Sequence, residues 1–145
     1  MPSSIPERFE MGTMNTTAIA GLNASLKWIQ ATSISAIHKR EIENREKLLQ
    51  ILSEYEFVHP IGLSDGNQYS GIVSVIIAGI SSDSAGVVFA ERGIQVRAGL
   101  QCAPLAHEKL GTFPAGTVRF SVSYFTTEAD FDELRNALDD IEDNL

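Results

Sequence analysis

The segment from Val96 to Thr127, VRAGLQCAPLAHEKLGTFPAGTVRFSVSYFTT, constrains this chain more than any other. It is a loop punctuated by Gly99, Gly111, Pro114 and Gly116 that gives way to an alternating strand at Thr117. The chain's single cysteine, Cys102, lies inside it, between Arg97 and Arg119. A thiol in such a loop, between cations, can be held as the nucleophilic thiolate. Free cysteine is otherwise most often a small buried hydrophobe. From Thr117 to Ser123 the pattern is that of a half-buried strand: Val118, Phe120 and Val122 point one way, Arg119, Ser121 and Ser123 the other. Arg119 is thereby offered to a polar face, where its planar guanidinium can grip a carboxylate with two hydrogen bonds. Nucleophile and anchor together suggest chemistry on a small amino or keto acid.

The rest of the chain predicts a compact frame around that segment. Met1 to Thr13 reads as an irregular lead-in. Asn15 and Thr16 are N-cap candidates for a helix to about Gln30, with Ile19, Leu22, Leu26 and Ile29 as its buried stripe. Gly12 and Thr13 then precede a helix N-terminus, either as a plain loop and cap or as a phosphate cradle. A second helix is expected from Ser33 to Tyr55, with Glu41–Arg45 and Glu43–Lys47 as exposed i,i+4 pairs. His38 and His59 are assigned no role, His59 standing in a loop before Pro60. Asp65-Gly66 marks a turn, and Gly71 to Ala78 a buried β-branched strand. Ser81 to Asp83 caps a short helix ended by Gly93, and Ile94 to Arg97 is a short strand leading to Cys102. Pro104 to Leu110 reads as a short helix stopped by Gly111. Thr127, with Asp130 at the capping-box position, opens a last helix with Phe131, Leu134, Leu138, Ile141 and Leu145 as its stripe. These elements predict an α+β fold, a small antiparallel or mixed sheet covered by helices, in one domain over residues 1–145.

Composition narrows the partners. The 145 residues carry a net charge of −8, which argues against nucleic acid or an anionic membrane as main partner. That charge is concentrated between Glu128 and Asp143, where eight acidic residues face only Arg135. This acidic face reads as solvated. A single cysteine forms no internal disulfide, no apolar run reaches the length of a membrane span, and MPSSIPERFE has no signal-peptide pattern. A cytoplasmic location is the expectation, and no metal is expected.

Arg97-Ala98-Gly99-Leu100-Gln101-Cys102-Ala103-Pro104-Leu105-Ala106-His107, Leu110-Gly111-Thr112, Gly116-Thr117-Val118-Arg119-Phe120-Ser121 and Tyr124-Phe125 carry a resemblance, with Pro6-Glu7-Arg8-Phe9-Glu10-Met11-Gly12-Thr13-Met14-Asn15 as a second matching piece. Together they resemble the C-terminal part of the cysteine desulfurases, in the class V aminotransferase family of pyridoxal-phosphate enzymes. The resemblance implies the C-terminal domain of a fold-type I pyridoxal-phosphate enzyme, and implies that Met1 is not where the family's chain begins. It implies that Cys102 is the nucleophile that takes sulfur from L-cysteine, leaving alanine and an enzyme persulfide. It also implies that Arg119 binds the substrate carboxylate, and that Gly12 and Thr13 touch the phosphate of a cofactor bound in the neighbouring subunit of a homodimer. A sulfur-acceptor protein, for uses such as iron–sulfur cluster assembly, is the implied partner. Arg97 matches a motif arginine with either a substrate-binding or a structural role. His107 is expected to make a structural hydrogen bond.

Two departures stand out. The residue before the cysteine is often histidine in the family, and here it is Gln101, which cannot shuttle a proton. None of Lys27, Lys39, Lys47 and Lys109 sits in the family's cofactor-lysine motif, so this chain by itself is expected to be inactive and to bind no cofactor covalently. A selenocysteine lyase or other class V enzyme, and a non-catalytic persulfide carrier or interaction domain, are the alternatives.

Overall fold

The computed structural model describes residues 3–10, 12–63 and 69–145; the expected Asp65-Gly66 turn lies outside them. Where the sequence reading draws one domain over 1–145, the internal contacts fall into two compact units, residues 1–37 and 38–145.

In the first unit, helix α1 spans Thr16–Thr32 and is capped as expected: the Asn15 side chain accepts from the Ala18 amide at 3.0 Å. Its apolar stripe is not buried. Ile19, Leu22 and Leu26 are 48%, 60% and 50% exposed, and no residue of α1 is buried. The 3.6-residue period is real, but burial needs a second layer to pack against, and the unit supplies none. Ser33, at φ 72°, separates α1 from helix α2, Ile34–Leu52.

In the second unit, strands β1 (Val58–Ile61), β2 (Ile72–Ile77) and β3 (Val118–Ser121) form an antiparallel sheet with β2 in the centre. Helix α3 (Ser82–Glu91) is capped by Ser81, α4 (Pro104–Leu110) ends at left-handed Gly111, and α5 (Glu128–Glu142) opens with the Thr127–Asp130 capping box. Val58, Val73, Val75, Ile77, Val118 and Phe120 line one sheet face and pack on Leu48, Ile51, Phe89, Leu134 and Leu138 from the helices. Phe89 and Phe120 meet edge to face at 5.2 Å. The other face is the more exposed one: its rows pair His59 with Ile76, Ile61 with Ser74, Ser74 with Arg119 and Ile72 with Ser121. Ile72 and Ile76 are 47% and 38% exposed, so β2 is buried on one side only and not throughout.

Several local expectations are corrected. His59 and Pro60 belong to β1, an edge strand, where a proline's missing N–H is tolerated. Ile94–Arg97 is not a strand; one antiparallel bridge, Arg97 to Arg119, is all that pairs there. The Glu41–Arg45 and Glu43–Lys47 pairs do not form. Glu41 Oε1 accepts from the Gly71 amide at 2.8 Å, buried Arg45 stacks 4.1 Å over the Tyr69 ring, Glu43 pairs with Lys39 and Arg40, and Lys47 pairs with Glu128. For Glu41, Arg45 and Lys47, tertiary partners outcompete one-turn surface pairs worth about 0.3–0.5 kcal/mol, while Glu43 keeps one-turn partners on its N-terminal side.

The acidic face of α5 is likewise held by partners. Arg92, at the end of α3, bonds Asp140 and Glu133 (3.1 Å to the latter), and Arg135 bonds Glu54 at 3.2 and 3.3 Å. The Arg92 hydrogen bond keeps the Asp140 carboxyl below its ordinary range. Tyr55 donates to Asp139 Oδ1 at 2.7 Å, and burial, then that bond, push its phenol above its ordinary value. A raised phenol pKa means stability that is complete below the unfolded value of about 10 and lost as pH climbs toward the folded value. Tyr55→Phe is therefore expected to flatten the decline in urea midpoint above pH ~10, while costing about 1 kcal/mol at pH 8. Equal alkaline slopes for the two proteins would remove Tyr55 as the source.

Candidate active site

Arg97 and Arg119 face each other across the bridge. The Arg97 amide donates to Arg119 O at 3.1 Å, and the Arg119 amide returns to Arg97 O at 2.7 Å. Residues directly opposite in an antiparallel pair send their side chains to the same side. Both side chains therefore leave from the more exposed sheet face, in one row with Ser74. As the alternation in sequence predicts, Val118 and Phe120 are buried, Arg119 is half-buried and Ser121 is exposed. Arg119 Nε is buried with no hydrogen-bond partner, and neither arginine takes part in the ion pairs among the described residues. Two adjacent like charges, one with an orphaned donor, are arranged for an anion.

Just beyond Arg97 the chain enters a turn that carries Cys102, exposed, immediately ahead of α4. Gln101 and Cys102 both have left-handed backbones, φ 51° and 62°. Each such residue costs about 1–2 kcal/mol when it is not glycine, and persists only where its surroundings impose it. Here the imposing contacts are plain. Thr117 N donates to Gly99 O at 3.2 Å, and Gln101 Nε2 lies 3.2 Å from Arg97 O, 3.4 Å from Thr117 O and 3.3 Å from Thr117 Oγ1. Ser82 Oγ, from the first turn of α3, donates to Ala115 O at 2.7 Å. Gly99 and Gly116 lie backbone to backbone: a Cβ on Gly116 would stand 2.6 Å from Gly99 Cα and 2.5 Å from its carbonyl oxygen. The cysteine turn and the lead into β3 are thus clasped together.

His107 is buried in α4 with Nδ1 2.7 Å from Thr112 Oγ1, the structural hydrogen bond that its place in a short helix suggested. Beyond the bridge the chain parts from β3, leaving a cavity of about 450 Å³ between Ile94–Gln95 and Phe120–Val122. Sequence reasoning missed the role of Gln101 altogether; a glutamine in a loop carries no local signal of what its amide will reach.

In the first unit, Gly12 (φ 85°) and Thr13 are exposed ahead of α1 and line a cavity of about 480 Å³ with Glu10, Met14 and Asn15. Among the described residues, nothing beyond its own chain neighbours lies within 4 Å of where a Gly12 Cβ would be. The Thr16 and Ala18 amides are taken by Met14 O and Asn15 Oδ1, whereas the Gly12 and Thr13 amides and the Thr13 hydroxyl have no hydrogen bond among the described residues. Open space and free donors fit one edge of a phosphate site. Of the lysines, Lys39 pairs with Glu43 along α2 and Lys47 pairs with Glu128 of α5.

The exposed sheet face thus carries a pair of arginines able to receive a small anion, and the chain runs on from Arg97 into a clasped turn that bears a thiol. The class V aminotransferase model matches residues 2–134, and the chain belongs to that family. It is 31% identical over 137 residues to the cysteine desulfurase CsdA of Escherichia coli, covering 94% of this chain and 32% of that protein. It is 30% identical over 141 residues to a probable cysteine desulfurase of Pasteurella multocida, covering 94% and 31%. In structure it is similar to the apo cysteine desulfurase of Thermococcus onnurineus, with a TM-score of 0.82, 27% identity and 97% and 34% of the two chains covered. CsdA of E. coli gives a TM-score of 0.80 at 27% identity, covering 99% and 34%. The chain spans about a third of the length of the curated relatives it matches.

Proposed function

We propose that residues 1–145 act as the C-terminal part of a cysteine desulfurase, a cytoplasmic homodimer that takes sulfur from L-cysteine and holds it as a persulfide on Cys102 for an acceptor protein. The observation that carries this reading is the Arg97–Arg119 pair, two cations on one sheet face with a buried, unpartnered Nε, next to the turn bearing the chain's one thiol. Family membership implies pyridoxal phosphate as cofactor.

In this reading Arg119 grips the substrate carboxylate through its fork, and Arg97 adds a second positive charge on the same side. Gly12 and Thr13 would hold the phosphate of a pyridoxal phosphate bound in the neighbouring subunit, and the cofactor, when bound, would supply the electron sink that loosens the substrate's C–S bond. Cys102 Sγ attacks the substrate sulfur; an S–S bond forms, the C–S bond breaks, and alanine leaves once its carbon is protonated. The thiol proton of Cys102 passes to solvent at the exposed turn, since the Gln101 amide faces carbonyl oxygens and His107 is engaged with Thr112.

The test is Arg119→Lys in the cofactor-loaded enzyme. A point charge cannot reproduce the bidentate grip, so KM for cysteine is expected to rise by about tenfold or more, with cofactor affinity little changed. Unchanged turnover at low cysteine would move the anchor elsewhere.

A further inference from the structure

We infer that Gln101 is a positioning residue, which sets the Cys102 thiol at a defined distance from the carboxylate anchor Arg119. Its side-chain nitrogen is surrounded by three acceptors, Arg97 O, Thr117 O and Thr117 Oγ1, at 3.2–3.4 Å. Two of these are carbonyls, which only accept, so the nitrogen and not the oxygen of the amide must face them. Arg97 O is also the acceptor of the Arg119 amide. One carbonyl oxygen therefore receives both the strand bond that aligns the arginine pair and the side chain of the residue before the nucleophile. Thr117, 2% exposed, is the buried floor of the same contact. The turn it holds contains two successive left-handed residues that the chain would otherwise leave. The inference rests on the proposed roles of Cys102 and Arg119, and adds that a glutamine here does geometric work where a proton carrier is absent.

The distance can be read with two thiosulfonate reagents, 2-sulfonatoethyl and 2-(trimethylammonio)ethyl methanethiosulfonate. In both, Cys102 thiolate attacks the sulfenyl sulfur, a new S–S bond forms, the bond to the sulfonyl sulfur breaks and methanesulfinate leaves; the thiol proton goes to buffer. The anionic reagent carries its charge about as far from the attacked sulfur as cysteine does. The native chain is expected to prefer the anionic reagent, and Gln101→Met, equal in length but without donors, to lower that rate ratio by about fivefold. Gln101→Glu, which turns a carboxylate toward the carbonyls, is expected to lower it further. Hydrogen exchange at the Arg119 and Ala103 amides should quicken in the same order. A ratio and exchange rates in Gln101→Met equal to those of the native chain overturn the inference. An Arg119→Gln variant separates the two layers. If it leaves the native ratio unchanged, the anchor reading fails, and exchange at Arg119 and Ala103 alone then decides for or against Gln101. Should Gln101→Met not fold, Thr117→Val removes one acceptor in its place, and unchanged exchange there is equally fatal.

Discussion

Cys102→Ser in the cofactor-loaded enzyme is expected to cut release of sulfur from cysteine by about three orders of magnitude or more, with cofactor absorbance retained. Hydroxyl oxygen is a far poorer nucleophile toward sulfur than a thiolate, and no second thiol exists in the chain to substitute for it. The accompanying measurement is mass spectrometry after incubation with cysteine: a gain of one sulfur on the peptide containing Cys102, and none in the variant. In this chain the thiol is exposed at the head of α4, so a small reagent reaches it without unfolding. Full activity in the serine variant would leave Cys102 as a surface residue with no part in the chemistry.

Gly116→Ala is expected to cost about 3 kcal/mol or more of stability. Two costs coincide at this position. The backbone is left-handed, φ 72°, and the new methyl would press on the Gly99 backbone, which has no flexible end to move aside. Relieving the clash means separating Gly99 from Gly116, which breaks the Thr117–Gly99 hydrogen bond and loosens the turn that carries Cys102. Gly93→Ala is the control. Its φ is 73°, yet nothing lies within 4 Å of its would-be Cβ, so only the conformational cost of about 1 kcal/mol applies. Thermal melts of the two variants should differ by about 10 °C. Equal melting temperatures would mean that the Gly99–Gly116 contact yields easily and does not clasp the site.

Features with a local cause could be read from sequence. The Asn15 and Ser81 caps, the capping box at Thr127, the stop at Gly111 and the alternation that buries Val118 and Phe120 while freeing Arg119 each depend on a few neighbouring residues. Those neighbours interact whatever the rest of the chain does. Cys102 between two arginines was equally visible, as were Gly12 and Thr13 ahead of a helix. Matters settled by distant residues could not be read. His59 and Pro60 read as a loop, yet they lie in the edge strand β1. The α1 stripe keeps helical periodicity and still stands exposed. Glu41 and Arg45 stand one helical turn apart and still part company, one for the Gly71 amide and one for the Tyr69 ring. Gln101 shows the difference most clearly. From its own position it is a loop residue that cannot carry a proton; only the fold brings the Thr117 oxygens, sixteen residues away in sequence, within reach of its amide. Sequence by itself determined which groups carry charge, thiol and turn geometry, because those are properties of single residues and their neighbours. Tertiary structure decided which of them meet, because a hydrogen bond a few ångströms long depends on where the backbone returns.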